Sequence, residues 1–177
     1  MKSHIKFVQE NIVFSNFFVS FCVLSLYRVS EVLLMIPINY NMHLFVFFSS
    51  IASYNFVRLP ILKLKNKYFS GQRNWIVTNK YLFLTIIFTS SLASIYYAII
   101  LELVTISIPL FFVSFFYIFS PLRMLKIIFP NINFSKNSRF LQFTIRDIPF
   151  VKIFIISFSW TYLTILIPAI INDIPFD

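Results

Sequence analysis

The chain has 177 residues, of which 59% are hydrophobic and 20% aromatic, with a formal net charge of +9. A soluble domain of this length has too little interior to bury so many Phe, Ile and Leu side chains, so the composition excludes an ordinary soluble fold and points to an all-α integral membrane protein. The positive charge does not indicate nucleic acid as a partner, because the basic residues border apolar runs, where charges that set topology belong.

Three residue types limit the chemistry. Cys22 is the only cysteine, so no intrachain disulfide can form. His4 and His43 lack a second histidine at ligand spacing and are expected as polar residues near the membrane edge. The six carboxylates, Glu10, Glu31, Glu102, Asp147, Asp173 and Asp177, are scattered, and no two are spaced to share a divalent cation.

The weakly basic N-terminus leads into an apolar run at Ile12 with no small-residue cleavage site after it, so a retained first span over 12–35 is expected. Arg28 and Glu31 lie within it at a spacing that puts both on one helical face. Arg28 comes about 24 Å along that helix, toward the far side of the hydrocarbon core. The pair is either an interfacial ion pair or an intramembrane functional site. A second span is expected over 42–57.

The stretch 54–80 is the longest break in the apolar pattern. It carries Arg58, Lys63, Lys65, Lys67, Arg73 and Lys80, no acid, and the single glycine, Gly71. Pro60 bars an uninterrupted helix there. From Tyr81 to Leu122 the only charge is Glu102, and one helix of that length would measure about 63 Å, twice the hydrocarbon thickness. The chain must turn back near Glu102, giving spans over 81–100 and 104–119, with Pro109 in the returning helix. A second basic loop follows, and a fifth span over 150–171. The whole chain forms one membrane domain, with cytoplasmic loops at 58–80 and 120–149.

With the N-terminus inside, every Lys and Arg except Arg28 falls on the cytoplasmic side, while Glu102, Asp173 and Asp177 fall outside. In a bacterium this places the protein in the inner, or plasma, membrane. With one glycine, close helix approach must rely on serine and alanine. The segments SSIAS at 49–53 and SSLAS at 90–94 are expected to face each other.

The order of these features resembles the UbiA-type membrane prenyltransferases. Asn55 matches the Asn that opens that family's N-D-x-x-D-x-x-x-D motif at the end of helix two. Ser120-Pro121-Leu122-Arg123, with Lys126, is similar to its Pro-Lys-Arg segment. The stretch from Ile148-Pro149 to Trp160 is similar to the opening of helix five. The resemblance spans the chain and implies the first half of that fold. It also implies magnesium held by the motif's aspartates on a prenyl diphosphate, yet those positions here are Phe56, Leu59 and Lys63, so no metal-binding residue is expected.

The resemblance therefore implies a UbiA-like membrane protein without prenyltransferase activity of its own. A shortened or split prenyltransferase completed by a partner chain is the alternative, and a small transporter or channel subunit a further one. Asn55, Arg58, Arg73, Arg123 and Lys126 are the candidate residues for a diphosphate or anionic lipid head group. Membrane lipid is the expected partner, with a prenyl diphosphate lipid, a second copy or another membrane chain as further candidates. No catalytic residue stands out.

The orientation has a direct test. In a Cys22→Ser background, a cysteine at Arg73 should react with an impermeant thiol reagent only from the cytoplasmic side, and one at Glu102 only from the opposite side. Labelling from the reverse sides would overturn the orientation.

Overall fold

A computed structural model describes residues 12–63, 71–118 and 149–174 of the chain, and among these residues every regular element is helical. Helices α1 (Phe17–Leu33) and α2 (Tyr40–Phe56) form an antiparallel pair. A tight 3₁₀ turn (Leu59–Lys63) and the short α3 (Gln72–Thr78) precede α4 (Lys80–Ile100) and α5 (Val104–Ile118). The last rod comprises α6 (Pro149–Thr161), a wider π turn (Tyr162–Leu166) and α7 (Ile167–Ile171). The candidate residues Arg123 and Lys126 lie outside the described residues, as does most of the second basic loop.

Among the described residues, three helical stretches are long and apolar enough to cross a membrane: Tyr40–Leu62, Lys80–Ile100 and Ile153–Ile171. Their apolar side chains mostly point outward, with only 22% of the apolar window of α4 buried. Phe88, Ile95 and Ile99 on α4 and Phe154 on α6 are all exposed. Such a surface is costly in water and suited to hydrocarbon.

α2 and α4 share the most extensive helix contact. Ser50 and Ser90, one from each serine segment, are both buried at 3% exposure. Each hydroxyl donates to the carbonyl one turn earlier, Ser50 to Val46 at 2.7 Å and Ser90 to Ile86 at 2.6 Å. That bond satisfies the polar atom and leaves a short side chain, so neighbouring backbones can approach. The Phe48 and Tyr97 rings stack at 6.2 Å across the same pair of helices.

The first helix is shorter than hydropathy suggests. It begins at Phe17 because Asn16 takes a left-handed conformation (φ 67°), which interrupts the run from Ile12. The basic stretch, expected as a loop, contains α3. Trp75 and Ile76 on α3 bury against Phe83, Ile87 and Ile61, with Phe56, Leu59 and Leu62 packed alongside. Two apolar residues in a charged stretch thus dock it on the bundle. Pro60 sits in the 3₁₀ turn, past the end of α2.

Three helices end in the same way. Met35, Glu102 and Asp173 take left-handed conformations just beyond α1, α4 and α7. The next amide then reaches back: Ile36 N to Glu31 O at 2.9 Å, Leu103 N to Ala98 O at 2.8 Å and Ile174 N to Ala169 O at 3.0 Å. These are Schellman caps built without glycine. In the last rod, Pro168 cannot donate to the Thr164 carbonyl, and the wider π turn directly precedes it.

Replacing Ser50 by Leu should cost about 1–3 kcal/mol through overpacking, whereas Ser53→Leu, at an exposed position of the same helix, should cost little. Thermal unfolding of both variants in detergent compares them. Equal stability would show that α2 and α4 do not depend on a small residue here.

Candidate functional site

Asn55 lies at the end of α2, fully buried at 0% exposure. Its side-chain nitrogen donates to the Ser15 carbonyl at 3.0 Å and to the Ile51 carbonyl at 2.9 Å. Its side-chain oxygen accepts from Asn16 Nδ2 at 2.8 Å. The left-handed backbone of Asn16 aims that amide across to α2, and asparagine tolerates such a conformation better than most residues. Gln72, from the start of α3, adds a donation to the Phe14 carbonyl at 2.7 Å and a longer one to Asn16 Oδ1 at 3.4 Å. One asparagine thereby ties the chain before α1 to α2, and through Gln72 to α3.

Tyr54, the residue before Asn55, accepts a hydrogen bond from the indole of Trp160 on α6. Tyr162, in the π turn, donates to the Ile106 carbonyl of α5 at 2.8 Å. The final rod is therefore held to α2 and α5 by one aromatic polar group each, set among apolar contacts.

The other sequence candidates separate. Arg58 follows the end of α2 and is half-buried, its amide donating to the Asn55 carbonyl at 3.0 Å. Arg73 is exposed on α3. Phe56 and Leu59, at positions where the resemblance calls for aspartates, are partly buried against the Trp75 cluster.

A second polar group stands where α1 ends and α2 begins. Glu31 has a side-chain exposure of 0%, and Arg28 Nη1 donates to its Oε2 at 2.7 Å from a side chain 45% exposed. His43, from the first turn of α2, brings Nε2 to 3.1 Å from the same oxygen. Glu31 Oε1 is buried without a hydrogen-bond partner. The pair is thus part of a three-residue polar cluster rather than standing alone. His43, expected as an isolated polar residue, belongs to it because the 34–39 turn folds α2 back onto α1.

Beside this cluster lies a cleft of about 430 Å³, with Tyr27, Asn39, Tyr40, Asn41, Leu101 and Asn172 among its lining residues. It brings together the α1–α2 turn, the α4–α5 turn and the end of α7, so those three helix ends share one end of the bundle. Among the described residues, no group of three or more His, Cys, Asp and Glu is placed to hold a metal ion.

No family model, no curated protein and no solved structure matches this chain.

Asn55→Ala should strand the Asn16 amide in the interior and cost about 1–3 kcal/mol, the usual loss for a buried group left without its partner. Arg73→Gln, on the exposed face of α3, should leave stability unchanged. Unfolding midpoints of the two variants check the contrast, and an unperturbed Asn55→Ala protein would remove the structural role assigned to the amide.

Proposed function

We propose that the protein is a UbiA-like integral membrane protein without metal-dependent prenyltransferase chemistry of its own. It crosses the membrane five times with its N-terminus cytoplasmic, in the inner or plasma membrane if bacterial, and its role is to hold a membrane lipid or a partner membrane chain. The observation that carries this reading is the use made of the Asn55 region. In the family this is where carboxylates gather magnesium around a diphosphate. Here the Asn55 amide is bonded to the chain before α1 and to its own helix, and Phe56 and Leu59 serve packing. Neither side chain can ligate a metal.

The orientation draws support from where the acids lie. Glu102 follows Leu101 and Asp173 follows Asn172, and both Leu101 and Asn172 line the cleft. Both acids are exposed and belong to the end of the bundle that the charge pattern puts outside. Arg58 and Arg73 belong to the opposite end, with Arg123 and Lys126 expected beside them from the sequence. A diphosphate or phosphate head group would be held there by guanidinium and ammonium groups, without a metal.

Two measurements test this. Purified protein given magnesium, a polyprenyl diphosphate and an aromatic acceptor should form no prenylated product, and turnover would overturn the proposal. Binding of a prenyl diphosphate lipid should fall more, per charge removed, when Arg58, Arg73, Arg123 and Lys126 are changed to Gln than when Lys136 and Arg139 are. Equal losses would reduce the site to general attraction for anionic lipid.

A further inference from the structure

Arg28 stands on the outward side of α1. Phe18, Phe21, Ser25, Val29 and Val32 follow one another at helical spacing along that side, and all are exposed. Arg28 is exposed beside Phe21 and Val32, so a guanidinium lies in a stripe otherwise suited to hydrocarbon. The apolar surface continues past it, since Leu33 and Met35, nearer the cleft end of the bundle, are exposed as well. Only about 7.5 Å of helix separates Arg28 from Leu33, the last residue of α1. The charge therefore sits just under the edge of the apolar surface.

The guanidinium turns toward that edge. Nη1 donates at 2.7 Å to Glu31 Oε2, nearly one turn further along the helix. Glu31 has no side-chain exposure, whereas the Arg28 side chain keeps 45%. The carboxylate thus fixes the guanidinium from the buried side, and a guanidinium has more donors than one carboxylate oxygen can take. Among the described residues no second acceptor meets it. Its remaining donors open onto the lipid-facing flank, where an unmet charge is costly. At that depth the acceptors within reach of a long side chain are head-group oxygens, and a phosphate matches the guanidinium fork.

We infer that Arg28 binds the phosphate of a phospholipid in the leaflet at the cleft end, with Glu31 as the buried residue that positions the guanidinium. The occupant is a lipid rather than soluble phosphate because the site is flanked by exposed Phe21, Val29 and Val32, along which acyl chains can lie. This site rests on the membrane-spanning part of the proposed function. It depends neither on the UbiA-like resemblance nor on Arg58 and Arg73 at the opposite end.

Solid-state nuclear magnetic resonance of the full chain in phospholipid bilayers tests it, through coupling between the guanidinium carbon and lipid phosphorus. Arg58, Arg73, Arg123, Arg139 and Arg146 are changed to Lys, which keeps the charge and leaves Arg28 as the remaining arginine. Its guanidinium carbon should lie about 4–5 Å from phosphorus, as a charge-assisted N–H···O bond to phosphate requires. Absence of that coupling overturns the inference. Contact of the Phe21 ring with acyl-chain protons in the same sample reports separately whether α1 meets lipid, so the membrane reading can stand while this site fails. In bilayers of a phosphate-free glycolipid with inorganic phosphate in the buffer, the coupling should vanish, and its presence would overturn the assignment to lipid. Should the lysine variant not fold, the otherwise unaltered chain gives the answer by difference. Changing Arg28 and Glu31 together to Gln avoids stranding a buried carboxylate and should remove one arginine's share of the phosphorus coupling, and an unchanged signal overturns the inference.

Discussion

The arrangement of this bundle depends on the buried amide of Asn55. An amide has two donors and an acceptor, and here they reach the chain before α1 and the preceding turn of α2. In an apolar interior an unpartnered amide is costly, so these bonds specify which turn of the N-terminal segment meets which turn of α2. Apolar contact between Phe, Ile and Leu surfaces would permit many registers. The left-handed Asn16 is part of the same constraint, since it ends the helical run from Ile12 and presents both its own amide and the Ser15 carbonyl to α2.

From that point the two ends of the bundle differ. At the Asn55 end, the connection to α4 is docked by Trp75 and Ile76 and by the Gln72 amide. At the other end, three helices close on Schellman caps with Met35, Glu102 and Asp173 in place of glycine, and a cleft opens among them. Left-handed conformation costs a non-glycine residue about 1–2 kcal/mol, which the cap hydrogen bonds offset. Between the ends, Ser50 and Ser90 are buried while the outer faces of α2 and α4 remain apolar. A protein so built has its polar specificity at two levels and leaves the surface between them to lipid.

The two levels carry opposite chemistry. The Asn55 end is rich in basic residues and uses its conspicuous amide for structure. At the far end Glu31, Arg28 and His43 gather around one carboxylate oxygen. Burial of that carboxylate is offset by the Arg28 guanidinium, which donates to it.

Composition and charge pattern were enough to give apolar helical character, the break after residue 57 and the return near Glu102, because each follows from local hydropathy. Arg28 and Glu31 were legible as a pair because helical spacing places them on one face. His43 was not, since only the 34–39 turn brings it beside Glu31, twelve residues on in the chain. Asn55 stood out in the sequence for its place in a motif, whereas its bonds to Ser15 and Asn16, some forty residues away, exist only once α1 and α2 have packed. The helix within the basic stretch was hidden for the same reason: Trp75 and Ile76 become core residues only against Phe83 and Ile87 of the folded bundle. Local pattern decided where the helices lie, and tertiary packing decided which polar groups meet, because hydrogen bonds between distant residues leave no periodic trace in the sequence.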